Sequence, residues 1–426
     1  MNTRIKNNGM QQSTASGSSD GYTRKKVVLQ VLVLVFVMGC WMTNTVSLLR
    51  SSSHISTTSK YDLAFGQPVL VDNKILSGPS TSTVVTEEEE EATRTLLIKK
   101  IDCKHHYAED DPNKGMEEDP KKFIKKTDPN FWISLHNQNF DRVRWGPIMK
   151  QGNYYETGIT EQFRDILQHA EPKGFVVDVG MNIGWFTIYS RAMGHNVLGF
   201  DPNPIMHSRV CNSLKLNHWW DGSSDNSGTS SGVTTFAYGL GDQVGNLNLT
   251  MGRNPGGSSF HKENIHKFRA SINVPVTTLD LVATQMGWFQ QQQQQQQPND
   301  VAAIIHLLKI DTEGYEPFII RGGSKLLFSG LVQNILVESK PRTSGSPDKE
   351  VLEWFTMLWK AGFEVKSITN GGGRKAKNAD ENTKNLNDSL RNGELEGSES
   401  LAHFAKVGCN MWWTKRTSAP VPATNA

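Results

Sequence analysis

The stretch 175–193 constrains the fold more than any other part of the chain. Phe175-Val-Val-Asp-Val179 reads as a buried strand, Trp185 to Met193 reads as a helix, and between them runs the turn Asp178-Val-Gly180-Met-Asn182-Ile-Gly184. Glycines there allow a tight turn and close approach of a ligand to the backbone, while the helix start presents N–H groups without partners. A second strand, Asn196 to Phe200, leads to Asp201, 21 residues past Gly180. An acid at that point can accept both hydroxyls of a ribose. Further short apolar runs alternate with helical segments. Pro204 to Leu216 and Lys349 to Trp359 read as helices, and Thr234 to Tyr238, Ile304 to Ile310, Asn334 to Glu338 and Glu364 to Ile368 as strands. Gly245 to Met251 is hairpin-like, and Phe404 to Trp413 supplies terminal strands. This βαβ alternation predicts an α/β protein with a Rossmann-like sheet.

The spacing from Gly180 to Asp201 fits two ligands, a nicotinamide dinucleotide and S-adenosylmethionine, and two features separate them. The diphosphate fingerprint needs a third small residue three positions after its second glycine. Here the strand instead ends in the acid Asp178, and G-x-N-x-G is followed by Trp185 and Phe186. An acid suits a methionine ammonium group better than a diphosphate. Gly239-Leu-Gly241-Asp242 then follows the third strand, where backbone and carboxylate can cradle an adenine edge and its exocyclic amine. Asp178, Gly180, Asn182, Gly184, Asp201 and Asp242 are therefore the expected cofactor residues.

The block Lys309-Ile-Asp311-Thr-Glu313-Gly-Tyr-Glu316 places three acids just beyond a buried strand, at the strand end where open α/β sheets gather their functional groups. Acids so close repel one another, which is a poor choice for structure alone. Asp311 and Glu313 can hold the cofactor ammonium, take a proton from an acceptor hydroxyl, or bind a cation that acidifies it. Glu316 reads as an ordinary first-turn helix acid. Glu338, ending the next strand, is a further candidate base or sugar ligand, although Lys340 can pair with it in a surface salt bridge. His261 is a third candidate base, more simply read as solvated, and Trp219-Trp220 and Trp412-Trp413 either stack on sugars or pack in the core. The catalytic candidates are thus Asp311, Glu313 and Glu338, with Asp311 also a cofactor candidate.

Outside this region the chain divides by composition. Arg24-Lys25-Lys26 precede an apolar run from Val27 that extends to Leu49, long enough to span a bilayer, with positive charge before it. Residues 1–26 are then a cytosolic tail and 27–49 a signal anchor of type II topology. No small-residue cleavage site follows, and the catalytic part would lie in the lumen of the endoplasmic reticulum or Golgi. Residues 50–128, with the acidic run Glu87 to Glu91, read as a disordered stem, within which Cys103-Lys-His105-His106 is a solvated loop rather than a metal site. The domain proper is expected at 129–416, followed by a disordered tail at 417–426. Eight consecutive glutamines at 290–297 and a polar stretch at 370–399 read as exposed inserts. Two sequons, at Asn248 and Asn387, suit a lumenal glycoprotein. Four cysteines, widely spaced, give no disulfide framework and no zinc pattern, and 45 basic against 43 acidic residues leave no field that argues for nucleic acid.

The motifs in order resemble those of the FkbM-type methyltransferases. The resemblance runs through Val177-Asp-Val-Gly-Met-Asn-Ile-Gly184, Gly199-Phe-Asp-Pro-Asn-Pro204, Gly239-Leu-Gly-Asp242 and Gly257-Ser-Ser-Phe260, and on through Val276-Thr-Thr-Leu-Asp280, Leu308-Lys-Ile-Asp-Thr-Glu-Gly-Tyr-Glu316 and Ile335-Leu-Val-Glu338. It implies a class I methyltransferase fold, doubly wound with a mostly parallel seven-stranded sheet. It also implies S-adenosylmethionine as donor and O-methylation of a hydroxyl on a sugar or other small metabolite. Family members commonly carry Glu where this chain has Asp201, and the glutamine insert departs from the usual pattern. Three functions are carried forward: a secretory-pathway methyltransferase of glycans, a methyltransferase of a lipid or secondary metabolite, and a catalytically silent glycan-binding protein.

Overall fold

The computed structural model describes residues 98–101, 103, 120–125, 127–150, 155–170, 174–220, 232–252, 255–261, 268–293, 304–340, 347–370 and 378–416. The cytosolic tail, signal anchor and C-terminal tail expected from the sequence lie outside these residues. Among the described residues no helix is long and apolar enough to cross a membrane.

The chain opens with a hairpin, β1 (Lys121–Ile124) and β2 (Phe131–Ser134), then a short helix α1 (Arg142–Trp145), a π-turn (Gly146–Lys150) and α2 (Thr157–Leu167). The βα units follow: β3 (Phe175–Val179), α3 (Trp185–Ala192), β4 (Asn196–Phe200), α4 (Pro204–Leu216) and β5 (Val233–Phe236). After them come β6 (Gly239–Leu240), β7 (Gly245–Gly252), β8 (Phe268–Thr277), α5 (Leu279–Gln285) and α6 (Trp288–Gln293). The second half holds β9 (Ile305–Ile310), α7 (Glu316–Gly322), α8 (Ser324–Phe328), β10 (Asn334–Ser339) and α9 (Pro347–Lys360), then β11 (Phe363–Thr369), α10 (Ala379–Asn392), α11 (Glu399–Phe404) and β12 (Cys409–Lys415).

Seven strands form one sheet in the order β11-β12-β10-β9-β3-β4-β5. The sheet is mixed: β12 runs antiparallel to both β10 and β11, and the other neighbouring pairs are parallel. A smaller sheet, β6-β8-β7, carries the hairpin-like segment. Alternation along the strands explains the layers. Val177, Val179, Phe200 and Ile310 face one core with α5, α7 and α9, while Val176, Val197, Leu307 and Leu336 face the other with α2, α3 and α4. Full burial of each such side chain is worth about 1.5–3 kcal/mol, which fixes strand register on both faces.

Three expectations change. The stem does not end at 128: β1 lies before that point, the Ile101 amide donates to the Thr235 carbonyl on β5 at 2.8 Å, and Cys103 is disulfide-bonded to Cys211 on α4. The bridge spans 108 positions of sequence, and the wide spacing that argued against a disulfide framework concealed it. The polar stretch 370–399 is not simply an exposed insert, because α10 buries Leu386 and Leu390 on one face. The sequence there is polar overall yet amphipathic at helical period. The first glutamines, to Gln293, continue the helix begun at Trp288, whose indole is buried.

Candidate active site

Strand register builds the site. Val179 pairs with Phe200 and with Ile310, and Ile310 pairs with Val337. Gly180, Asp201, Asp311 and Glu338 therefore each stand one residue beyond a common row, side by side at the carboxyl edge of the sheet. All four line a crevice enclosing about 810 Å³ of empty space, part of it open solvent. This is the edge where α/β sheets bind ligands.

The turn 180–184 is shaped for that edge. A Cβ on Gly180, at φ 76°, would run into the backbone carbonyl of Asp311, so only glycine lets the two strand ends lie this close. Gly184, at φ 84°, starts α3 and lies outside the crevice lining, where its bare Cα makes room for Val210. Asn182, at φ 57°, donates its amide to Asp201 Oδ2 at 2.9 Å. The other oxygen of Asp201 accepts the Asn203 amide at 2.8 Å. Burial pushes the Asp201 carboxyl up to about 6, against those two hydrogen bonds, which favour the ionised form. Tyr238, Gly239, Leu240 and Phe260 add an apolar wall beside it.

At the other end, acids converge. Lys309, 5 % exposed, lies 3.1 Å from Asp311 and 3.7 Å from Asp178. Burial alone would raise the Asp311 carboxyl, but the charge and hydrogen bond of Lys309, a hydrogen bond with Glu338 and the charge of Lys340 together outweigh it and hold Asp311 at about 2. The charge on Asp311, together with burial, pushes Glu338 well above the usual range, and the two carboxyls hydrogen-bond each other. Glu313, at φ 57°, is ion-paired with Lys340, and burial with the nearby Asp311 raises its carboxyl. Oxygens of Asp311, Glu313 and Glu338 come within 4.8 Å of one another, a spacing a divalent cation also requires, but the two lysines already meet much of this charge.

The remaining expected residues fall elsewhere. Asp178 is fully buried beneath the edge, accepting from Thr187 Oγ1 at 2.7 Å and facing Lys309, so it supports the site without lining it. Asp242 lies outside the crevice lining in an ion pair with Arg321 at 3.1 Å, and Arg321 also reaches Glu353. The acid after Gly241 is thus paired with Arg321 on α7. Glu316 is not a solvated helix acid: it is 1 % exposed, and its Oε1 accepts from the Thr312 amide and hydroxyl and from the Gly314 amide, fastening the loop that carries Asp311 and Glu313. Lys340 pairs with Glu313, not Glu338. His261 packs against Tyr315 and Phe318. Trp413 is core, and Trp412 donates to Asn334.

Sequence reasoning missed Arg144, Tyr155 and Glu156, which line the crevice from the segment before β3. Nothing in their spacing marks them. Lys309 was legible: a lysine inside an apolar strand needs buried acids. Among the described residues, three of the five non-glycine residues with positive φ, Glu156, Asn182 and Glu313, line this one crevice. Strain of this kind gathers at functional sites.

The fold and site define an α/β protein with an acid-rich ligand crevice at the carboxyl edge of its sheet. Residues 178–365 match the family model described as a methyltransferase FkbM domain, and this segment is a domain of that family. "Methyltransferase sdnD" of Sordaria araneosa is 27% identical over 211 residues, 45% of this chain and 74% of that protein. "Methyltransferase 1" of Beauveria bassiana (strain ARSEF 2860) is 28% identical over 171 residues, 38% of this chain and 64% of that protein, so the match spans less than two thirds of its length. Among solved structures, methyltransferase FkbM from Methylobacillus flagellatus KT is 13% identical with a TM-score of 0.25, over 43% of this chain and 40% of that one.

Proposed function

We propose that this protein transfers a methyl group from S-adenosylmethionine to a hydroxyl of a sugar or glycan, and does so in the lumen of the secretory pathway. The observation that carries the reading is the row Gly180, Asp201, Asp311 and Glu338, which sets a ribose acceptor, a bare backbone and a carboxyl pair in line along one crevice. The charge fits as well. Among the described residues five carboxyls line the crevice, Glu156, Asp201, Asp311, Glu313 and Glu338, against one base, Arg144, and a sulfonium and an ammonium group complement such a surface.

When bound, the cofactor supplies an electrophilic methyl: the acceptor oxygen forms the new C–O bond, the C–S bond breaks, and sulfur keeps its electron pair as a neutral thioether. The chain's part is to align and to move a proton. Asp201 holds the ribose hydroxyls, the turn at Gly180 seats the methionine portion, and Arg144 answers its carboxylate. The Asp311–Glu338 pair hydrogen-bonds the acceptor hydroxyl and takes up the proton it loses. Lys309 keeps that pair in place. Secretory location is supported by the basic flank before the apolar run 27–49 and by the Cys103–Cys211 disulfide, a bond that persists in oxidising compartments.

Titration calorimetry of the full chain should give heat with S-adenosylmethionine and none with NAD; the reverse pattern would overturn the donor. Mass spectrometry of glycans from cells with and without the protein should show a methyl increment on one sugar, and unchanged glycans would overturn the acceptor class.

A further inference from the structure

Arg144, Tyr155 and Glu156 line the crevice but precede the family-matched segment, which begins at residue 178. Of the three, Glu156 brings a carboxylate. It stands immediately before α2 with φ 48° and ψ 60°, a left-handed backbone that an extended side chain adopts only at a cost. Its side chain makes no capping bond to the helix, so the carboxylate is not committed to the element it precedes. It meets the Tyr155 side chain, and its charged neighbours are Asp311 and Lys309, then Arg144.

Glu156 lines the crevice together with Asp311 and Glu338, and α2, which it precedes, packs against β9. Asp201 ends β4 and marks the ribose, and the sheet runs from β4 through β3 to β9 and β10. A nucleoside whose ribose lies on Asp201 and whose methionine portion follows Gly180 extends toward β9, where Asp311 and Lys309 stand. Glu156 has the charges of Asp311 and Lys309 as its strongest charged neighbours there. A carboxylate in such a position interacts with a positive centre and has nothing to gain from the neutral thioether left after transfer.

We propose that Glu156 is a cofactor-binding residue of the reacting end: its carboxylate faces the sulfonium and its methyl, and lets the crevice distinguish the charged donor from the neutral product. This rests on the S-adenosylmethionine reading above. The segment ahead of the matched domain thereby completes the site.

The test uses two unreactive ligands and the full chain in detergent. One is S-adenosylhomocysteine, which is neutral at sulfur; the other is sinefungin, which carries a protonated amine where the donor carries its methylsulfonium. In the unaltered protein sinefungin should bind roughly tenfold or more tightly than S-adenosylhomocysteine, the size of a charge-assisted contact. In Glu156→Gln that preference should collapse to within about threefold while S-adenosylhomocysteine affinity stays within about twofold. Glu156→Gly, which suits a left-handed backbone, should behave the same way and covers the case in which the glutamine variant does not fold. An unchanged preference in both variants, or equal weakening of both ligands, overturns the role of Glu156 alone. Failure of the unaltered protein to bind either ligand overturns the cofactor reading and this inference with it.

Discussion

Three donors converge on one oxygen of Glu316, and burial still pushes its carboxyl up to about 7 from an ordinary value of 4.5. The folded chain therefore keeps a proton that the unfolded chain releases. The stability this group contributes is fully present below about pH 4.5 and is lost as pH rises toward 7, with Asp201 adding the same sign of effect up to about 6. Glu316→Gln removes the titration while leaving an oxygen for the loop donors. Denaturant melts at pH 5 and pH 8 should show a smaller loss of stability in the variant, by at most about 3 kcal/mol; parallel losses would refute the linkage. Asp311 and Glu313 lie on the loop that Glu316 fastens, and their roles differ in kind. Asp311→Asn and Glu313→Gln should leave the domain folded, the first at a cost in stability because buried Lys309 loses its nearest carboxylate, and should lower turnover by roughly two to four powers of ten if proton transfer is involved. Full activity in both would remove them from the mechanism. Glu156→Gly should raise thermal stability by about 1 kcal/mol, because it relieves a left-handed backbone and a crowded carboxylate, at the expense of ligand discrimination.

At the scale of elements, α10 shows how polar composition can hide structure. Asn387 on α10 accepts the Val365 amide at 3.0 Å and donates to the Val365 carbonyl at 2.8 Å, beside the register shift in β11 between Val365 and Ser367. Its amide thus takes the place of a neighbouring strand. Asn387→Ala should cost about 1–3 kcal/mol, since it leaves two backbone groups of a buried residue without partners; a loss under a few tenths would show that water replaces the amide. The same geometry separates the two sequons: Asn248 is exposed on β7, whereas Asn387 is engaged, so peptide mapping of a secretory preparation should find glycan at Asn248 and none at Asn387. The strands that carry Gly180, Asp201, Asp311 and Glu338 were legible because strand periodicity and the acid at each strand end both survive in one dimension. Asp242 misled, since an acid after a glycine turn looks the same whether it meets a ligand or Arg321. Glu156 was silent because its position depends on a helix laid over the sheet edge, a contact between distant parts of the chain that no local pattern records.

For the whole molecule, the Cys103–Cys211 bridge joins the segment ahead of the domain to α4, the helix that begins just after Asp201. The same segment hydrogen-bonds to β5 through Ile101 and to α5 through Ile98 and Gln285. A bridge closing a loop of about 100 residues is worth about 4.7 kcal/mol in the chain-entropy account, a large share of a domain's net stability. Two consequences can be read together. Cys103→Ser with Cys211→Ser should lower the unfolding free energy by several kcal/mol, and Cys409→Ser, which alters a buried free thiol, should give no change in migration between reduced and unreduced gels. In intact vesicles the C-terminal part should be protected from protease and should migrate faster unreduced, because oxidation and lumenal enclosure follow from one topology. A protease-sensitive, fully reduced chain would place the catalytic part on the cytosolic side and remove the support for a secretory acceptor, while leaving the donor site as described. The two assays therefore test where this crevice meets its substrate separately from what it binds.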